Sequence, residues 1–392
     1  MMRLAPERGT RLCYQINLQR SLGGGEVYTR FFTEALDSLG WQTRLVVVRG
    51  AGFWQKLGVD AGRLVEIDDG AELERMLPEQ PCLVVTHNIL GEELARKIAR
   101  RYTLAGFVHM PLYERDLKGL PHYDILFAVS NHVLSSMRTK GLGNAYPEPL
   151  YAVADLALRG EHRRGGLLAC SPYDWDPRKW RDRMLGFAEP LLLRFLSRRS
   201  YAKKPGLTLG IVSRLTPIKQ FPLLFSILVP VLARFPGVNL EVFGSGGYAS
   251  VRDLRRVLAP LGPRVRYWGH QSDVRAAYAA VDYVLSGLPE KEALGLNLIE
   301  AQACGTPVIA VDAPPFTETV LNGITGHLYA DPRSDAGAGF AVLLNRLLAG
   351  EQRLTPQDAA NHLRRFSVLG FRERVSRALA TYNLQHSTEI QG

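Results

Sequence analysis

Short, almost wholly apolar runs alternate with longer stretches in which apolar residues recur every three or four positions, nearly from end to end of the chain. Runs of the first kind suit strands buried on both faces. Stretches of the second kind suit helices that cover those faces, so the pattern predicts parallel sheets sandwiched between helices. In the first half, Leu12 to Leu18, Thr43 to Val48, Cys82 to Thr86, Thr103 to Val108 and Ile125 to Val129 read as strands, with helices beginning near Glu26, Glu92 and Asn131. In the second, Leu207 to Val212, Asn239 to Phe243, Val265 to Trp268, Tyr283 to Leu285 and Val308 to Val311 repeat the scheme. The segment from Arg159 to Pro205 follows neither pattern and contains Pro177, Pro190 and Pro205, which puts the connection between the halves inside it. The expectation is an α/β protein of two doubly wound domains, 1–165 and 206–370, joined by a segment 166–205 and closed by a helical tail 371–392.

A length of 392 residues exceeds one ordinary core, which agrees with two domains, and 46% apolar with 22% charged residues is ordinary for a globular chain. The four cysteines are scattered with no C-x-x-C pair and no histidine at metal-ligand spacing, so neither a disulfide framework nor a zinc site is expected. The first residues lack the apolar run of a signal peptide, and no stretch reaches the roughly 20 apolar residues of a membrane span. A cytoplasmic protein is expected. The net charge of +10 is concentrated: residues 159–204 hold twelve Lys or Arg against five Asp or Glu, a net +7. Such a patch suits an anionic bilayer, an acidic polymer or nucleic acid, but no helix-turn-helix, zinc finger or RNA-binding signature accompanies it, so nucleic acid is not expected. Trp180 to Arg199 could form a basic amphipathic helix interrupted at Pro190, which either packs its leucines on a neighbouring domain or lets 178–204 meet an anionic membrane surface.

The candidate chemistry lies just beyond predicted strand ends, where ligands of such sheets bind. Two carboxylates, Glu292 and Glu300, stand eight positions apart around a predicted helix start and turn at Gly295 and Asn297; the helix ends at Gly305. The outward amide groups of a helix start suit a diphosphate. Ionised carboxylates accept hydrogen bonds and never donate them, which suits the diols of a ribose at Glu300 and of a sugar at Glu292. Arg214 and Lys219 follow the first strand of the second half, with Pro217 between them; on spacing alone they read as solvated surface charges. Gly23, Gly24 and Gly25 read as a tight turn, and His109 as a structural histidine at a strand end. His87 and Asn88 follow another strand. Gly244-Ser-Gly246-Gly247 is a weak dinucleotide-loop signal. Asp174-Trp-Asp176 spells D-x-D but falls away from any strand end, and reads as coincidence or a helix start.

Taken in order, Leu22 to Glu26, Leu209 to Lys219, Leu240 to Gly247, Val265 to His270 and Glu292 to Pro307 resemble retaining glycosyltransferases of the GT-B fold, of the family-four type. The resemblance covers roughly residues 11 to 330. It implies two Rossmann-like domains facing across a cleft, an acceptor-side first domain, a second domain for the nucleotide-sugar, and a last helix, around Phe371 to Tyr382, that returns to the first. It also implies site roles. Arg214 and Lys219 would clamp the diphosphate; Gly23, Gly24, Gly244, Gly269, Ala293, Leu294, Gly295, Leu296, Asn297 and Glu300 would line the donor; His109 and Glu292 would hold the donor sugar near the reacting carbon. No metal or cofactor is then expected beyond a nucleoside diphosphate sugar as co-substrate, and the acceptor would be a saccharide or lipid-linked saccharide of cell-surface polysaccharide assembly. An epimerase of the same architecture and a non-catalytic nucleotide-sugar-binding module stand as alternatives.

Overall fold

The computed structural model describes residues 11–113, 117–154, 166–175, 179–195 and 199–389. Asp176, Pro177 and all of 155–165, on which parts of the sequence reading fell, lie outside them. Two compact units emerge: residues 1–153 with 364–392, and residues 154–363.

The first unit is built on six parallel strands: β1 (Arg11–Asn17), β2 (Trp41–Val48), β3 (Leu64–Ile67), β4 (Leu83–Thr86), β5 (Thr103–Val108) and β6 (Ile125–Ala128), in the order β3-β2-β1-β4-β5-β6. The second repeats the order with β7 (Leu207–Val212), β8 (Val238–Phe243), β9 (Val265–Gly269), β10 (Tyr283–Leu285), β11 (Val308–Val311) and β12 (Gly326–Tyr329), arranged β12-β11-β10-β7-β8-β9. Each sheet therefore reverses direction once, between β1 and β4 and between β7 and β10. At that switch point the two loops that leave neighbouring strands head for opposite faces and open a crevice.

Burial on both sides explains the sequence pattern. Every residue of β4, β6, β8 and β11 is buried, which requires continuous apolar runs. Where β8 carries a charge, the fully buried Glu241, its carboxylate is paired with Arg266 and accepts a hydrogen bond from the Trp268 indole at 2.6 Å. The two strands not expected from the sequence, β3 and β12, are both edge strands. β3 is only partly buried, and Gly-His-Leu-Tyr in β12 hides its histidine among too few apolar residues to read as a run.

Helix starts follow local chemistry. The helix Asn131–Thr139 opens on Ser130, whose hydroxyl accepts from the Val133 amide, and Val274–Ala279 opens on Asp273, which accepts from Arg275 and Ala276. Two expectations need correcting. The segment expected to link the units belongs structurally to the second: Ala169 and Tyr201 hydrogen-bond across Leu167 and Arg199, and Cys170 donates to the Trp268 carbonyl at the end of β9. The helix expected to break at Pro190 runs through it, Trp180–Phe195. The last helix, Val368–Glu389, packs within the first unit: Phe371 meets Tyr28 edge-on at 5.3 Å and Arg374 donates to the Tyr151 carbonyl at 3.2 Å.

Candidate functional site

In the second unit the loops after β7 and β10, on either side of the switch point, come together. Lys219 ends the β7 loop in a short turn, Pro217–Lys219, and Glu292 lies in the β10 loop. The Lys219 ammonium donates to Glu292 Oε2 and reaches Asn297 Oδ1 at 3.5 Å. The other Glu292 oxygen accepts from the amides of Gly295 at 3.2 Å and Ala293 at 3.3 Å. Burial pushes this carboxyl upward, but the Lys219 charge and these hydrogen bonds outweigh it and hold Glu292 below the usual carboxylate range. Both side chains keep a solvent-facing edge, 19% exposed for Lys219 and 14% for Glu292.

The helix Leu296–Ala303 leaves this cluster directly. Gly295 is its cap, in the left-handed region with φ 77°, where a Cβ would meet the Phe316 ring at 3.1 Å. Asn297, expected as part of the cap, is instead the second helical residue, and no side chain caps this N-terminus. Of its first-turn amides that of Leu298 donates to the Gly295 carbonyl at 2.9 Å; the amide dipoles of the helix start point outward, which is the arrangement anions favour. Ala293 and Leu294 are buried, which leaves little of either for a ligand to meet. Glu300 sits one turn inside the helix, 4% exposed, and accepts from the Tyr278 hydroxyl at 2.8 Å. Arg214 is exposed in the β7 loop. The structure thus brings Lys219, Glu292, Gly295 and Asn297 into one cluster and holds Glu300 on Tyr278, with Arg214 exposed in the same β7 loop as Lys219.

Glycines make this convergence of loops feasible. A Cβ on Gly244 would stand 1.9 Å from the Ser213 carbonyl oxygen, one on Gly287 2.0 Å from that of Lys219, and one on Gly269 2.3 Å from that of Ser171. Packing of loop on loop already requires Gly244 and Gly269, whatever a donor adds. Asp174 donates its amide to the Gly246 carbonyl, so this half of the D-x-D pair belongs to loop packing.

The first unit's switch point is chemically different. Gly23 caps the helix Gly24–Ser38 from the end of the β1 loop, and a Cβ at Gly24 or Gly25 would meet nothing within 4 Å. Beyond β4 and β5 lies a pocket of about 500 Å³ lined by Gln19, His87, Asn88, Phe107, His109 and Met110 among others. His87 Nδ1 lies 3.3 Å from His109 Nε2, and His87 Nε2 lies 3.1 Å from Gln15 Oε1. Because the Gln15 amide nitrogen donates to Thr33 at 2.8 Å, its oxygen faces His87 and accepts from Nε2. Burial lowers the pKa of both histidines, of His109 to about 4, so both rings are neutral near pH 7. Tyr28 braces His109 edge-on at 5.1 Å and donates its hydroxyl to the Leu150 carbonyl.

Sequence reasoning missed Tyr278, Gln15 and Tyr28. Each lies on an apolar helix face or strand, where nothing but the fold distinguishes a supporting polar atom from core. Among the described residues there is no group of three or more His, Cys, Asp or Glu arranged to hold a metal ion, and no helix long and apolar enough to cross a membrane.

Comparison with known proteins agrees with this construction. Residues 206–350 match the family described as glycosyl transferases group 1. Over 205 residues, 48% of the chain, it is 32% identical to a D-inositol 3-phosphate glycosyltransferase of Rhodococcus erythropolis, and it spans 45% of that relative's length. Among solved structures it resembles Anabaena Alr3699/HepE in complex with UDP, with a TM-score of 0.67 at 18% identity, covering 95% of this chain and all of that one. It also resembles the apo form of the lipopolysaccharide outer core galactosyltransferase WaaB, with a TM-score of 0.64 at 17% identity and the same coverage. The chain has the GT-B fold, two Rossmann-like sheets of like topology. The match to glycosyl transferases group 1 lies within its second unit, and the chain spans less than half the length of the curated relative it matches.

Proposed function

We propose that the protein transfers a sugar from a nucleoside diphosphate sugar to a hydroxyl acceptor with retention of anomeric configuration. The single observation that carries the reading is the cluster at the second switch point, where Lys219, Glu292 and the start of the helix Leu296–Ala303 meet. A diphosphate arriving there exchanges part of the Lys219–Glu292 attraction for its own charge on Lys219, with Arg214 as the second cation and the first-turn amides as donors. Glu292, freed toward solvent on one edge, then accepts from hydroxyls of the donor sugar. Glu300 accepts from the ribose, with its other hydrogen bond to Tyr278 keeping it in place.

Retention follows from attack on the face the leaving group departs: as the bond from the anomeric carbon to the phosphate oxygen breaks, the acceptor hydroxyl bonds to that carbon on the same face and the departing phosphate oxygen takes its proton, so no enzymic nucleophile is needed. Charge growing on that phosphate is stabilised by Arg214 and Lys219, which is the work a metal ion does elsewhere. His109, neutral and braced, donates its Nε2–H to His87 Nδ1 and accepts at Nδ1 from a hydroxyl of the sugar near the reacting carbon. UDP and UDP-glucose in complexes of the Anabaena protein make uridine donors the first to test. For the acceptor we favour a glycan or lipid-linked saccharide of cell-surface polysaccharide assembly, handled on the cytoplasmic side. The test is thermal stabilisation by a panel of nucleotide-sugars, because a ligand that binds only the folded state raises its stability, followed by the anomeric configuration of the product. Absence of stabilisation by every nucleotide-sugar would remove the reading, and an inverted product would remove its mechanism.

A further inference from the structure

Helices at a protein surface ordinarily turn apolar residues inward and polar residues outward. The described side chains of the Trp180–Phe195 helix, Trp180 to Glu189, do the reverse. At about 100° per residue, Trp180, Met184 and Phe187 share one arc of about 60°, and they are 76%, 64% and 79% exposed. The opposite side, carrying Asp182, Gly186 and Glu189, is the one that packs. Asp182 is 4% exposed. A Cβ on Gly186 would contact the Trp175 ring at 3.1 Å, and Glu189 accepts from the Trp175 indole at 2.5 Å and the Ser171 hydroxyl at 2.6 Å. The apolar ridge is therefore not a core face that lost its cover: the helix is anchored through polar groups on its far side.

The flanks of the ridge are basic. Arg183 is exposed on one side; on the other Arg181 lies over the Tyr248 ring at 4.7 Å, beside Arg252 at 6.0 Å from the same ring. Lys179 is exposed one residue before the ridge. An apolar ridge with arginine on both shoulders is the layout of a helix that lies in a bilayer interface, with Trp and Phe among the acyl chains' upper carbons and cations among the phosphates. A second copy of the chain fits less well. Three side chains of this size expose roughly 450 Å², short of the approximately 800 Å² that each partner of a stable dimer contributes, and such a partner would gain nothing from the cations.

We propose that the face of the Trp180–Phe195 helix bearing Trp180, Met184 and Phe187 docks into the surface of an anionic membrane, with Lys179, Arg181 and Arg183 on the lipid phosphates. This gives a defined element to the basic segment and does not depend on sugar transfer. Flotation with phosphatidylglycerol vesicles, with phosphatidylcholine vesicles as the neutral control, tests it. The protein is expected to float with the first and not with the second. Trp180→Ser with Phe187→Ser should reduce partitioning at least ten-fold, and Lys179→Glu with Arg183→Glu by about five-fold for each charge removed, more on reversal. These residues are exposed, so the melting temperature and nucleotide-sugar stabilisation should stay unchanged; loss of nucleotide-sugar binding in the unaltered protein would count against the enzymatic reading alone. Trp180→Phe should keep vesicle binding while removing the blue shift of tryptophan fluorescence. Undiminished flotation of the Trp180→Ser, Phe187→Ser variant overturns the proposal. So does the absence of flotation with both lipids, and concentration-dependent dimerisation in that case would assign the ridge to a second copy.

Discussion

The two switch points share a backbone plan and almost nothing else. In the second unit the crevice between β7 and β10 gathers opposite charges, Lys219 on Glu292, with buried Glu300 beneath. In the first, the crevice between β1 and β4 holds Gln15, His87 and the neighbouring His109, neutral groups joined by hydrogen bonds, next to open glycine. Strand order decides where a ligand can sit, and the side chains at that place decide what kind. Charges held by each other but open on one edge can be re-partnered by a diphosphate. Neutral imidazoles in a pocket of mixed polar and apolar lining orient hydroxyl groups without competing for protons.

The sharpest way to break this contrast is to remove charge from the second crevice. Glu292→Ala should lower kcat on the order of a hundred-fold or more, because it removes a preorganised acceptor at the reacting sugar and takes from Lys219 its carboxylate partner, while free nucleotide binds nearly as before. Glu300→Ala should act on binding, weakening the free nucleotide roughly ten- to hundred-fold, as expected for loss of a charged hydrogen bond. Steady-state kinetics paired with nucleotide titration separates the two. Equal loss of nucleotide affinity in both variants would end the division of labour.

The neutrality of the first crevice makes a prediction about pH. Burial holds the His109 pKa at about 4, against 6.5 when unfolded. Between those values the unfolded chain binds a proton that the folded one refuses. Stability is therefore complete above about pH 6.5 and declines as pH falls toward 4. Allowing for solvent at its open edge, His109 should contribute about 2 kcal/mol to that decline, and His87, lowered in the same direction, adds to it. Urea unfolding across this range should show the slope, and His109→Gln should flatten it. Glu292, held low by Lys219, also contributes stability that is lost in acid, but only as pH falls below the ordinary carboxylate range near 4.5, so the two contributions separate by pH.

How much of this was legible in the sequence follows the physics of each element. The ten expected strands are largely apolar runs, β4, β6, β8 and β11 buried throughout, so the pattern marked them; β3, only partly buried, and β12, four residues with a glycine and a histidine, left no such trace. The carboxylates and cations after β7 and β10 were singled out through the resemblance of their segments to family-four glycosyltransferases; on spacing alone Arg214 and Lys219 read as solvated surface charges. The ion pair between Lys219 and Glu292 could not be read this way, since 73 positions separate them and only the adjacency of β7 and β10 brings their loops together. Asn297 was expected at the helix cap because asparagine favours caps, but Gly295 in the left-handed conformation ended the loop first. Tyr278 and Gln15 were illegible for the opposite reason, as polar atoms supplied by residues whose pattern says core.

The smallest effects sharpen the comparison most finely, through two glycines at helix starts. Gly295 has φ 77° and a Cβ there would press on Phe316 at 3.1 Å, so Gly295→Ala should cost about 1 to 2 kcal/mol in the second unit from strain alone. Gly24 opens its helix without a left-handed φ, and a Cβ there meets nothing within 4 Å. Gly24→Ala should therefore leave the first unit as stable or stabilise it by about 0.5 kcal/mol, through loss of freedom in the unfolded chain. What this does to turnover separates the two meanings of the glycine loop. If Gly24 serves only a tight turn, kcat/KM stays at the level of the unaltered protein; if a substrate must approach the backbone there, kcat/KM falls several-fold in a protein that melts no earlier. We expect the fall, because open space over bare backbone at a switch point is what a ligand requires and a turn does not.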